Sequence, residues 1–135
     1  MLRAVEPGPA VVVCSTCRLS ADQREDGEGQ RGGALLAQAL RTVQETDPAL
    51  AHIAVEEMPC LFACQRHCVV HLRAQGRIGY VMGGFTPAHD EARAILDYAA
   101  LHAASAEGVV PYGQWPEGVK GHFIARIPPE GFVGT

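Results

Sequence analysis

Apolar positions along the chain fall into short runs whose spacing changes from continuous to helical to alternating. Ala10-Val11-Val12-Val13 is a continuous apolar run ending at Cys14, as in a short strand buried on both faces. From Ala34 to about Gln44, the residues Leu35, Leu36, Ala39, Leu40 and Val43 recur at helical spacing and predict an amphipathic helix, which Pro48 closes off. His52-Ile53-Ala54-Val55-Glu56 alternates like a strand and leads into a turn at Met58-Pro59-Cys60. Two further strands are predicted at Val69–Leu72 with Arg73 and at Ile78–Met82, joined by a hairpin turn through Ala74-Gln75-Gly76-Arg77. Thr86 as N-cap and Pro87 at the first helical position open a second helix. It runs to about Ser105, with Ala92, Ile95, Leu96, Ala99 and Ala103 on one face. Beyond Val109 come Pro111, Pro116, Pro128 and Pro129, with one extended piece at Phe123–Ile127.

One stretch carries no apolar pattern. Residues 18–33 hold seven charged side chains, four glycines and a single large apolar residue, Leu19. Such a segment buries too little surface to offset its ordering entropy and is expected to be a mobile loop over the sheet.

The order is strand, helix, strand, strand, strand, helix. It predicts an α/β fold in which a mixed sheet is flanked by two helices, an order that resembles thioredoxin-like domains. At 135 residues the chain fits one domain, 1–135, ending in a Pro-rich C-terminal extension from about residue 109. A composition 47% hydrophobic and 19% charged supports an ordinary core. The net charge of −4, with no basic stripe, argues against nucleic acid as a partner. No apolar run is long enough to span a bilayer, so no membrane partner is expected. The start Met1-Leu2-Arg3-Ala4-Val5-Glu6-Pro7 has no apolar signal core, and a cytoplasmic location is expected.

The cysteines change the picture most. Cys14-Ser15-Thr16-Cys17 is a C-x-x-C pair, and Cys60-Leu61-Phe62-Ala63-Cys64-Gln65-Arg66-His67-Cys68 is a C-x-x-x-C-x-x-x-C run. An odd count of five cannot close entirely into internal disulfides. All of them fall into two groups, each directly after a predicted strand, and neighbouring strand ends would bring the groups together. That placement points to a thiolate-held metal centre. Four thiolates suit tetrahedral zinc or an iron–sulfur cluster, and the three-residue spacing of the second group departs from the repeated C-x-x-C of zinc ribbons.

Val13-Cys14 through Cys17, Gly33-Ala34-Leu35-Leu36 and Cys60-Leu61-Phe62-Ala63-Cys64 resemble thioredoxin-like [2Fe–2S] ferredoxins. They are also similar to the corresponding subunit of NADH:quinone oxidoreductase. Nearly the whole chain resembles an uncharacterised bacterial family of predicted metal-binding proteins. That likeness is carried by Cys14–Arg18, Cys60–Val70, Gly79-Tyr80-Val81-Met82-Gly83, Asp97-Tyr98-Ala99 and Ile124–Pro129. The resemblance implies a [2Fe–2S] cluster held by Cys14, Cys17, Cys60 and Cys64. Cys68 is then a neighbour of the site or a substitute ligand. Two departures stand out: the first pair is more tightly spaced than in those ferredoxins, and Cys68 is additional.

Three functions from different classes follow. The first is an electron carrier rather than a stand-alone enzyme, exchanging electrons with a redox partner protein, its acidic balance helping it dock on a basic surface; homodimer formation is left open. The second is a zinc or other metal-binding structural or delivery protein, which the family resemblance links to cobalamin or cobalt metabolism. The third is a thiol oxidoreductase using Cys14 and Cys17, against which the long polar loop before the first helix counts. Arg18 and Arg66 flank the cysteines, where positive charge would lower thiol pKa values and offset an anionic cluster. His67 is read as solvent-facing or supporting, His71 as a sheet-face residue. Glu56 and Glu57 point to opposite strand faces and make a poor acid–base pair.

Overall fold

The structure is a computed structural model that describes residues 2–135. Its elements are β1 (Ala10–Cys14), α1 (Gly32–Thr46), β2 (Ala54–Met58), β3 (Val70–Arg73), β4 (Gly79–Met82), α2 (His89–Ala104) and β5 (Phe123–Ile127). Short 3₁₀ turns lie at Pro48–Leu50, Tyr112–Gln114 and Glu117–Val119. The strands form one mixed sheet in the order β2-β1-β3-β4-β5. β1 and β2 are parallel, joined through α1, and the other pairs are antiparallel. The expected α/β class, with a mixed sheet and two helices, is the class observed.

β1 occupies an interior position and is buried along its whole length, as its unbroken apolar run requires. Val11 and Val13 of β1, Leu72 of β3 and Tyr80 of β4 join Leu36 and Leu40 of α1 and Ile95, Leu96 and Tyr98 of α2 in one core. Both helices therefore pack on the same face of the sheet. Because strand side chains alternate, Cys14 leaves β1 on the other face and belongs to a separate small cluster with Cys17 and Val69.

Several boundaries differ from the expectation. β2 begins two residues late because Ile53 is buried in the turn before it, its N–H bonded to the Leu50 carbonyl at 3.2 Å. α2 begins at His89 and not at Pro87. The Thr86 N–H donates to Glu91 Oε2 at 2.7 Å and its hydroxyl donates to the same oxygen, so Glu91 captures Thr86 instead of Thr86 capping the helix. The extended piece at Phe123–Ile127 is a fifth strand after α2, paired with β4 across an irregularity between Val81 and Met82. The stretch leading to it contributes Val110 and Val119 to the core and seats the Trp115 indole N–H on the Val110 carbonyl at 2.8 Å.

The polar segment before α1 is structured. The Leu19 and Ser20 N–H groups donate to the Arg24 and Gln23 carbonyls at 3.3 and 3.0 Å, and the Asp26 carboxylate accepts the N–H groups of Glu28 and Gln30 at 2.9 and 2.8 Å. A bridge between Glu25 and Arg31 closes the flap. These side-chain to backbone bonds, rather than a hydrophobic pattern, organise it.

Candidate metal centre

Because β1 and β2 run parallel with Cys14 opposite Met58, their following loops leave the same end of the sheet. The first loop carries Cys14 and Cys17, the second Cys60 and Cys64. Three contacts bind the loops together. Ser15 N–H and its hydroxyl reach the Met58 carbonyl at 2.9 and 3.3 Å, and the Thr16 hydroxyl donates to the Pro59 carbonyl.

α1 starts against this turn. A Cβ built on Gly33 would stand 1.8 Å from the Cys14 carbonyl oxygen, and one on Gly32 would stand 2.3 Å from the Arg18 carbonyl. Only glycine lets the helix come this close. The flap leaves after Cys17 and returns its end to the same turn, where Gly33 N–H bonds to the Cys17 carbonyl at 3.2 Å. This corrects the expectation that the loop keeps the first pair away from the helix: the N-terminus of α1 does lie beside Cys14 and Cys17. The geometric objection to thiol chemistry at that pair is therefore removed.

Cys14, Cys17, Cys60 and Cys64 all line one cavity of about 410 Å³. Its other walls are Thr16, Ala63 and the four arginines Arg18, Arg24, Arg31 and Arg66. None of these arginines forms an ion pair among the described residues. Arg31 Nη1 donates to the Thr16 carbonyl at 2.9 Å, which turns the flap's charge toward the cysteines. Cys14 and Cys17 are buried, whereas Cys60 and Cys64 are exposed at the mouth. The sulfurs form two pairs, and no three Cys, His, Asp or Glu side chains converge on a single ion site among the described residues.

Backbone N–H groups face the sulfurs. Val69 N–H approaches Cys17 Sγ at 3.4 Å and Phe62 N–H approaches Cys60 Sγ at 3.2 Å. The second contact needs Phe62 in a left-handed conformation, φ 60°, an uncommon and strained state for a bulky residue. The Cys17 thiol hydrogen-bonds Cys14 and is the main reason the Cys14 pKa falls, to about 5, with the backbone at Leu61 and Thr16 adding to it. The same shared proton, together with burial, pushes Cys17 up. At the mouth the neighbouring charge of Cys60 pushes Cys64 up.

Cys68 does not line the cavity. It is fully buried in the main core, with its thiol 3.6 Å from the Arg18 carbonyl, and burial pushes its pKa up to about 12. His67 is tied through Nδ1 to the Phe85 carbonyl at 2.9 Å and His71 lies on β3, so neither faces the cysteines. Glu56 pairs with Arg73 and Glu57 with Arg41 of α1, in keeping with opposite strand faces. Arg24 and Arg31 were not singled out in the sequence. The one local cue was Arg31 standing directly before the Gly32-Gly33 helix start.

The residues fit a thiolate-ligated anionic group on chemical grounds. The donor set is four thiols, two of them with backbone N–H groups at sulfur. Among the described residues the four surrounding arginines form no ion pair, and one buried donor of Arg18, Nε, has no hydrogen-bond partner. No helix among the described residues is long and apolar enough to cross a membrane.

Residues 11–129 match the model of a family described as "Protein of unknown function (DUF1636)". No curated protein matches the chain. Among solved structures, a thioredoxin-like [2Fe–2S] ferredoxin from Aquifex aeolicus is similar over 95% of this chain and 100% of its own, with a TM-score of 0.55 and 21% identity. A wild-type thioredoxin-like [2Fe–2S] ferredoxin from the same organism is similar over 61% of this chain and 77% of its own, at a TM-score of 0.44 and 23% identity. The likeness to the first establishes a thioredoxin-like fold, in agreement with the resemblance read from the sequence.

Proposed function

The chain belongs to this family of unknown function, and from its cysteine site we propose that it is a small electron-transfer protein whose [2Fe–2S] cluster is held by Cys14, Cys17, Cys60 and Cys64. One observation supports the reading: Cys14 with Cys17 and Cys60 with Cys64 line a single cavity together with four arginines. In a two-iron cluster each iron takes one pair, so paired sulfurs suit it. A lone tetrahedral zinc sits about 2.3 Å from every sulfur and draws all four to within about 4 Å of one another.

When bound, such a cluster supplies one-electron chemistry. The chain's own residues then have separate tasks. Val69 and Phe62 N–H groups donate to the sulfurs of Cys17 and Cys60, as they would to ligating sulfur. Burial of Cys14 and Cys17 keeps water from the inner pair, while the exposed Cys60 and Cys64 form the edge that a partner can approach. The arginine collar offsets the negative charge that four thiolates bring.

The collar also bears on the partner. The whole chain is acidic, net −4, yet four arginines, none of them ion-paired among the described residues, line the site. Docking is governed by the local field, so the proposed redox partner presents carboxylates at its contact surface and not the basic surface that overall charge favours.

The reading is tested by anaerobic purification. Iron and acid-labile sulfide should each approach about two per chain, with visible absorption bleached by dithionite. Serine at Cys14, Cys17, Cys60 or Cys64 should strip that absorption, while Cys68→Ser should keep it. A colourless chain with stoichiometric zinc overturns the electron-transfer reading.

A second reading has its own observation. Cys14, acidified by Cys17 and set beside the start of α1, has the character of a reactive dithiol. Disulfide reduction by the metal-free chain, lost in Cys14→Ser, would favour it.

A further inference from the structure

Arg18 carries a buried hydrogen-bond donor that no other group among the described residues uses. Its Nε is shielded from solvent and has no partner among the described residues, although Arg18 lines the cysteine cavity. Buried guanidinium N–H groups are seldom left unpaired, because the lost hydration is not otherwise recovered. Among the side chains around the cavity, the acceptors are the four cysteine sulfurs and the Thr16 hydroxyl oxygen, whose own hydrogen goes to the Pro59 carbonyl. The sulfurs are four of these five acceptors and the ones that would carry the charge of a bound centre.

The residue is also held in place from behind. The Cys68 thiol reaches the Arg18 carbonyl at 3.6 Å, and the Gly32 backbone lies so close that a Cβ there would stand 2.3 Å from the same oxygen. Arg18 is thus anchored between the core and the start of α1. Arg31, by contrast, spends its Nη1 on the Thr16 carbonyl. Arg24 and Arg66 have no buried orphaned donor among the described residues.

We propose that Arg18 is a tuning residue, whose Nε–H donates to a sulfur of the cysteine-held centre and raises its reduction potential. This assignment rests on the cluster reading of the preceding subsection. One-electron reduction adds one negative charge to the centre. A fixed cationic donor stabilises that extra charge more than it stabilises the oxidised form, and hydrogen bonds to sulfur are a recognised control on potential. The electron comes from a one-electron donor protein and no proton or bond change is required. Cys68 acquires a role here as well, since its thiol positions the Arg18 backbone.

The test compares the anaerobically purified chain with Arg18→Gln, Arg18→Lys and Arg24→Gln. Iron, sulfide and the midpoint potential from a mediated dithionite titration are read for each. With cluster content unchanged, Arg18→Gln should shift the one-electron equilibrium at least tenfold toward the oxidised form, about 59 mV downward. Arg18→Lys keeps the charge but not the fixed planar donor, so it should recover less than half of that shift. Arg24→Gln, which removes a charge without an orphaned donor, should move the potential less than Arg18→Gln. If Arg18→Gln loses the cluster, the comparison rests on Arg18→Lys. Equal potentials at full cluster content overturn the Arg18 assignment and leave the cluster reading standing. A wild-type chain without iron and sulfide overturns both.

Discussion

Gly33→Ala is the sharpest test of how the site is built, because two effects of opposite sign meet at one atom. In an ordinary helix the change is favourable, by about 1 kcal/mol. Here the added Cβ would stand 1.8 Å from the Cys14 carbonyl oxygen and 2.8 Å from its carbon. Both are backbone atoms, so no side-chain rotation relieves the overlap. Ordinary contact begins at 3.4 Å, so α1 and the cysteine turn must separate by about 1.6 Å. Overpacking of this kind typically costs about 1–3 kcal/mol, and a backbone collision lies at the upper end. The net expectation is a loss of about 1–2 kcal/mol, or a Tm lower by roughly 3–7 °C for a chain of this length. The separation also weakens the bond from Gly33 N–H to the Cys17 carbonyl, so Cys17 should bind metal less tightly. The assay is urea unfolding followed by circular dichroism, with iron and sulfide counted in parallel. Gly27→Ala is the control, since nothing lies within 4 Å of its added Cβ and its effect should be within about 0.5 kcal/mol. A Gly33→Ala chain as stable as wild type, or more so, refutes the claim that α1 is pressed onto the cysteine turn.

Three further outcomes are expected. His102 and His71 both have lowered pKa values, chiefly through burial, so the unfolded chain binds more protons and stability should be full above about pH 6.5 and decline as pH falls below it. Urea midpoints between pH 8 and 5 check this, and a midpoint that rises on acidification would contradict it. Phe62→Gly should leave the urea midpoint unchanged or raise stability by up to about 1 kcal/mol, because the 94% exposed ring contributes little burial while glycine accepts φ 60° freely. Replacing residues 18–32 by a short spacer should lower iron and sulfide content, because the flap supplies Arg18, Arg24 and Arg31 to the cavity. Full cluster content after that deletion would return the flap to the status of a passive loop.

The parts of the fold legible in the sequence are those whose physics is local and apolar. The run Ala10–Val13 reads as a buried strand because β1 is covered on both sides, and the helical spacing of Leu36, Leu40 and Val43 survives intact as the buried face of α1. The grouping of Cys14 and Cys17 against Cys60 and Cys64 was legible too, since parallel neighbouring strands deliver their following loops to one end. What was hidden depends on polar or distant contacts. Thr86 reads as an N-cap until Glu91 is seen to take both its donors. The flap reads as mobile because its order comes from Asp26 accepting two N–H groups, a pattern that hydrophobicity does not record. Convergence of four arginines from residues 18 to 66 on one cavity is a tertiary fact with no one-dimensional signature.

The same placement of a cysteine pair can serve two chemistries, and the rest of the cavity supplies the arguments for the proposed cluster. Cys14 and Cys17 at the end of β1, beside the start of α1, would serve a dithiol: one thiol acidified, the other holding the proton. A disulfide-exchanging pair, however, needs its attacking sulfur open to another protein, and both of these cysteines are buried. The exposed sulfurs are Cys60 and Cys64, whose local geometry instead spends the Phe62 N–H on a sulfur at the cost of a strained backbone. A donor to sulfur favours the thiolate over the neutral thiol, as ligation requires. Across the cavity the arginines add positive charge where an inner dithiol alone would need only one cation. Four thiols, donors at two of the sulfurs and surplus positive charge are together more than exchange chemistry calls for, and each suits the proposed anionic cluster with one exposed edge.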